Sequence, residues 1–71
     1  MKIKLSPHSK KRIKQRKIKV AEIRLTLISP DRKFFVGRNR IIVRKKIRQK
    51  ELEVIYVIEN RTIVIVTLYY L

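Results

Sequence analysis

The sequence predicts an α+β domain in which two N-terminal helices pack on a four- to five-stranded antiparallel sheet. Three observations carry that prediction. Ser6-Pro7 is a helix start, with serine as N-cap and proline at the first helical position. Ile18, Val20, Ile23 and Leu27 recur at helical spacing until Pro30 stops them. From Lys33 onward the period falls to two, and the apolar residues are chiefly Ile, Val and Tyr, types that favour strands.

Taken in order, the elements read β-α-α-β-β-β-β. Lys2 to Leu5 alternates basic and apolar side chains, a short strand with one wet face. The first helix runs from Pro7 to Arg16, and Ile13 is its only apolar residue. It can therefore touch a core along one line and stays basic elsewhere. A second helix covers Val20 to Ile28, and Ser29-Pro30-Asp31-Arg32 is a turn. Lys33 to Val36 is a strand ended by Gly37, the only glycine. Arg40 to Ile47 and Glu51 to Ile58 alternate, with Leu52, Val54, Tyr56 and Ile58 sharing one face. Glu59-Asn60-Arg61 makes a tight hairpin turn. Thr62 to Tyr70 is almost continuously apolar, the signature of a central strand covered on both faces.

Seventy-one residues make a single domain, residues 1–71, with a thin margin of stability. There is no cysteine, so disulfides and thiolate metal sites are excluded. One histidine cannot build a zinc site, and the five acids are too scattered for a two-metal nuclease. Neither a glycine-rich phosphate loop nor a triad can be assembled. No metal and no cofactor is expected. No run of about 18 apolar residues is present, and the basic N-terminus lacks an apolar segment after it, so the expectation is a cytoplasmic protein without a membrane partner.

Twenty bases against five acids give +15, a field that attracts polyanions. RNA or another nucleic acid is the first expected partner and an acidic protein the second. Nine of the first nineteen residues are Lys or Arg, with no acid among them. Lys10, Lys11, Lys14, Lys17 and Lys19, with Arg44 and Lys46 on the sheet, can neutralise backbone phosphates. The competing reading is a solvated face of a heat-adapted protein, although such surfaces usually balance Lys with Glu.

Within the first helix, His8, Arg12 and Arg16 fall at i, i+4 and i+8, on one stripe. The helix dipole and Arg12 both disfavour an imidazolium, so a neutral His8 is expected. A neutral imidazole can take a proton from a ribose 2′-hydroxyl while two arginines hold the phosphate. A solvated histidine at a helix start would give the same pattern. Tyr69 and Tyr70 end the last strand on opposite faces, where one can pack and the other can stack a base or donate a proton. Of the adjacent Phe34 and Phe35, one is expected to face outward.

Ser6-Pro7-His8, Arg12, Arg16-Lys17-Ile18, the Pro30-Asp31 turn and the closing Val66-Thr67-Leu68-Tyr69 resemble the domain-of-unknown-function family 4258 over nearly the whole chain. That family looks related to small ribonuclease toxins of the RelE and BrnT type, which act without metal and are held by acidic antitoxins. The resemblance implies a RelE-like fold, RNA cleavage, and a site lined by His8, Arg12, Arg16, Thr67 and Tyr69. Lys17 stands where the family pattern has glycine, which bears on the turn between the helices. A non-enzymatic nucleic-acid-binding module and a partner-binding protein are the alternatives.

Overall fold

The computed structural model describes residues 2–71. Two helices and one five-stranded sheet follow each other as β1 (Lys2–Leu5), α1 (Pro7–Arg16), α2 (Val20–Ile28), β2 (Arg32–Val36), β3 (Arg40–Ile47), β4 (Lys50–Glu59) and β5 (Thr62–Tyr70). The element order is the one the sequence predicts. The sheet is not purely antiparallel. Its order is β1-β5-β4-β3-β2, and β1 runs parallel to β5, with Lys2 opposite Thr62 and Leu5 opposite Ile65. The two helices carry the chain from β1 at one edge to β2 at the other, and three antiparallel steps from β2 bring β5 back beside β1 in the same direction.

The helix starts and stops have chemical causes. Ser6 Oγ accepts the Ser9 N–H at 3.1 Å, and Pro7 occupies the first turn, where no N–H is needed. Lys17 ends α1 in the left-handed region (φ 54°, ψ 43°), its N–H bonded to the Ile13 carbonyl. A lysine thus adopts the turn that a glycine would make with less strain. In α2 the Glu22 carboxylate accepts the Lys19 N–H at 3.2 Å. After Ile28 the chain turns through Pro30, and Asp31 Oδ2 accepts the Lys46 N–H at 2.7 Å.

One face of the sheet carries the core. Ile41 and Val43 of β3, Leu52, Val54 and Tyr56 of β4, and Ile65 and Leu68 of β5 are buried with Ile18 and Ile23. Alternation sends the intervening residues to the opposite face, which no helix roofs. On β5 the alternation slips once. Tyr56 faces Ile65 while Ile55 faces Thr67, so Val66 is an extra, bulged residue. The expectation of a central strand covered on both faces does not hold for β5. β4 is central, and of the apolar run in β5 only Ile65 and Leu68 are buried. On the other face Ile42, Ile55, Val57 and Val64 are half-buried among one another without a helical layer over them.

β1 stops at Leu5, so β5 beyond Ile65 lacks a strand neighbour on that side. The start of α1 takes over. The Ser6 N–H donates to the Ile65 carbonyl at 3.1 Å, Ser6 Oγ to the Val66 carbonyl at 2.9 Å, and Ser9 Oγ to the Ile65 carbonyl at 3.1 Å. These bonds satisfy strand carbonyls that would otherwise end in a buried edge. Ser9 is fully buried as a result. α1 is pinned to β5 through Ser6 and Ser9, with Ile13 turned to the core, Arg12 half-buried and its other side chains exposed.

Candidate nucleic-acid interface

The helix margin and the unroofed face meet at Arg12. Of the cations on α1, Arg12 alone is half-buried; Lys10, Lys11, Lys14 and Arg16 are exposed, as is Lys17. One turn back, His8 Nε2 faces Arg12 Nε at 3.5 Å, the long limit of a hydrogen bond in which the imidazole nitrogen accepts. The Arg12 charge favours the Tyr69 phenolate, the weakest of the influences on that phenol. α1 packs on β5, so His8 and Arg12 stand on the helix next to the strand that carries Tyr69. Thr67, two residues before Tyr69, points to the same face of β5. Arg16 continues the α1 stripe one turn beyond Arg12 and is exposed.

Beneath Tyr69 is a polar row running across three strands. Arg44, Glu53 and Tyr69 are cross-strand neighbours on β3, β4 and β5. Glu53 is 3% exposed although no helix covers that face. Arg44 Nε donates to Glu53 Oε1 at 2.6 Å, and the Tyr69 hydroxyl donates to Oε2. Carboxylate oxygens so buried need such partners to satisfy them. The hydrogen bond to Glu53, and secondly burial, raise the Tyr69 phenol above its usual range. Arg44 also lies over the Phe34 ring, 5.3 Å from its centroid. With Nε engaged by Glu53, Arg44 has only its terminal nitrogens for a phosphate. Lys46 is exposed and lies two residues beyond Arg44 on the same face of β3, opposite Glu51, while Lys19 is exposed at the start of α2.

In the sequence Glu53 stands out only as one of five scattered acids, not as the centre of a row. The available signal was the hairpin register, which sets Glu53 between Arg44 and Tyr69 once the two turns are placed. Both phenylalanines are exposed, Phe34 at 41% and Phe35 at 75%, so neither is core. Among the described residues no group of three or more His, Asp or Glu side chains could hold a metal ion. No helix is long and apolar enough to cross a membrane.

Tyr70, on the core side, has the opposite environment to Tyr69. Its hydroxyl donates to Glu22 Oε1 at 2.5 Å. Burial first, and that hydrogen bond second, push its phenol up to about 12. The same bond is the main cause holding the Glu22 carboxyl below its ordinary value. Folded-state phenol values above the unfolded value of about 10 mean the unfolded chain loses these protons first. The stability linked to Tyr69 and Tyr70 is thus complete below about pH 10 and is lost as pH rises toward 12. The urea midpoint should fall over that window, and the fall should be shallower in Tyr70→Phe. An equal fall in both proteins would refute this linkage.

Residues 5–70 match a family described as "Domain of unknown function (DUF4258)". No curated protein and no solved structure matches the chain.

Proposed function

The chain belongs to the DUF4258 family, and from that premise and the surface around Arg12 we propose that it binds single-stranded RNA along α1 and cleaves it without a metal ion. The observation that carries the reading is the packing of α1 on β5, which sets the His8–Arg12 pair next to the strand that carries Thr67 and Tyr69. These groups supply a proton acceptor, a fixed cation and a proton donor. Arg16 adds a second cation one turn on, and Thr67 lines the same face. On this reading the chain is a relative of RelE- and BrnT-type ribonuclease toxins, and its +15 charge suits an acidic antitoxin as well as RNA.

The chemistry balances within the strand. Arg12 Nε turns from His8 Nε2 to the phosphate, and the 2′-hydroxyl loses its proton to that imidazole nitrogen as the 2′-oxygen bonds to phosphorus. The bond from phosphorus to the 5′-oxygen breaks, and that oxygen takes the Tyr69 proton as the phenol lets go of Glu53 Oε2. Water then returns a proton to Tyr69 and takes one from His8. Arg12 and Arg16 hold the phosphate oxygens, where charge builds in the transition state. Arg12 and Arg44 face the phenolate left on Tyr69. The products are a 2′,3′-cyclic phosphate and a 5′-hydroxyl.

The test is incubation of labelled RNA with the purified protein in EDTA. His8→Ala should lower the rate by about 10²- to 10⁴-fold with the cyclic phosphate still formed by the residual activity. Equal cleavage by His8→Ala, or cleavage only with added Mg²⁺, would refute the mechanism. Salt-sensitive binding with no cleavage at any protein concentration would instead make the chain a nucleic-acid-binding module.

A further inference from the structure

We propose that the cleft between the α1–α2 turn and the β3–β4 turn is a separate nucleotide site, holding the phosphate and base of an RNA nucleotide that flanks the cleaved bond. The identification of that nucleotide as part of an RNA strand rests on the function proposed above; the existence of the site does not.

The cleft has a volume of about 500 Å³ and lies on the core side of the sheet, away from Tyr69. Lys17, Lys19, Arg48 and Lys50 line it, together with Ile47 and the Tyr70 ring. Two ion pairs occur among the described residues, Arg44 with Glu53 and Lys45 with Asp31, and neither involves these four cations. The one acid in the cleft is Glu22. Its Oε1 is already engaged by the Tyr70 hydroxyl at 2.5 Å and the Lys19 N–H at 3.2 Å. Four cations thus surround one carboxylate that is tied to the wall. A concave surface with that excess focuses positive potential inward, where an anion gains most from it.

An anion alone would need no apolar wall, and this cleft has one. Ile47 and Tyr70 are half-buried, and the bond to Glu22 fixes the plane of the phenol ring. Lys50 Nζ sits 5.7 Å from the ring centroid, so the ring already attracts one cation to its face. A phosphate attached to a flat apolar group satisfies both halves of the lining. A nucleotide is that combination.

Lys17, at φ 54°, and Arg48, at φ 60°, set cations on the two turns that bound the cleft. Left-handed backbone favours glycine or asparagine, so a lysine at position 17 costs stability that a glycine would not. Lys17 directly follows Arg16, so the cleft begins one residue after the His8–Arg12–Arg16 stripe ends in the chain, and a strand bound along α1 can continue into it.

Amide NMR spectra of the whole chain, titrated with adenosine 5′-monophosphate, inorganic phosphate and adenosine, test the site. The monophosphate should shift Lys17, Arg48, Gln49 and Tyr70 saturably, phosphate the same residues with lower affinity, and adenosine hardly at all. Lys17→Gly should weaken the monophosphate by about 5-fold through loss of one charge-assisted bond, with a melting temperature unchanged or higher as the strain is relieved. Arg61→Gly is the control: Arg61 has φ 60° too but lies outside the cleft, so the affinity should stay within about twofold. Shifts confined to the His8 face, phosphate binding as tight as the monophosphate, or equal weakening by Arg61→Gly would overturn the proposal. If the monophosphate fills the cleft but RNA is never cut, the ribonuclease reading falls alone. If RNA is cut by Lys17→Gly with unchanged KM and the cleft stays empty, the nucleotide site falls alone.

Discussion

Raising salt from about 50 to about 200 mM should weaken RNA binding by about 50- to 300-fold. Lys10, Lys11, Arg12, Lys14, Arg16 and Lys17 all lie on or directly after a ten-residue helix, and five of the six are exposed. If roughly four to six of them each displace a counterion from a single strand, log K falls with log salt at a slope of about −3 to −4. Removing Lys10 and Lys14 together should make the slope shallower by about 1.4. Fluorescence anisotropy with a short labelled RNA reads both numbers. A slope of magnitude below about 1, or one that ignores the double substitution, would mean that α1 is not the binding surface.

The second large effect concerns Glu53. Its replacement by alanine should destabilise the fold by about 2 kcal/mol, the scale of a hydrogen bond to a buried charged group. Arg44 adds little to that figure because its side chain is 32% exposed and water can replace the carboxylate. Against a total stability of roughly 4–10 kcal/mol for a chain this short, the loss is severe. The substitution should also bring the Tyr69 phenol down. The bond to Glu53 is the leading cause of its raised value, and Arg12 and Arg44 would then act unopposed. Urea unfolding gives the first effect. Tyrosinate absorbance against pH gives the second, with Tyr69→Phe identifying the transition. If the stability and the titration both stay at wild-type values, the Arg44–Glu53–Tyr69 row does not organise the face.

The linear sequence carried the local structure well because each boundary has a local cause. Ser6-Pro7, Pro30 and the alternation of β3 and β4 are read from neighbours alone, and α1, α2, β3 and β5 begin and end where those signals put them. What depended on distant residues was harder. The parallel pairing of β1 with β5 joins residues sixty apart, and no local pattern specifies direction. The bulge at Val66 decides which face Thr67 and Tyr69 share, yet a run of apolar residues conceals it. Tyr69 and Tyr70 were separable by alternation. Assigning Tyr69 to Arg12 and Tyr70 to Glu22 required α1 and α2 to be placed. Lys17 shows the limit of local reading most clearly. Its identity argued against a sharp turn, and the capping requirement of α1 prevailed.

α1 and β1 make close backbone contact with β5 and with each other, and with no other element among the described residues. During synthesis the basic segment emerges before the strand that anchors it, since β5 is the last of the five. A nascent chain that stops before Thr62 presents every cation of α1 but has neither Thr67 and Tyr69 nor the carbonyls that hold Ser6 and Ser9. The His8 surface is thereby assembled only when β5 arrives, and a chain without β5 carries the cations of α1 but not the face they border.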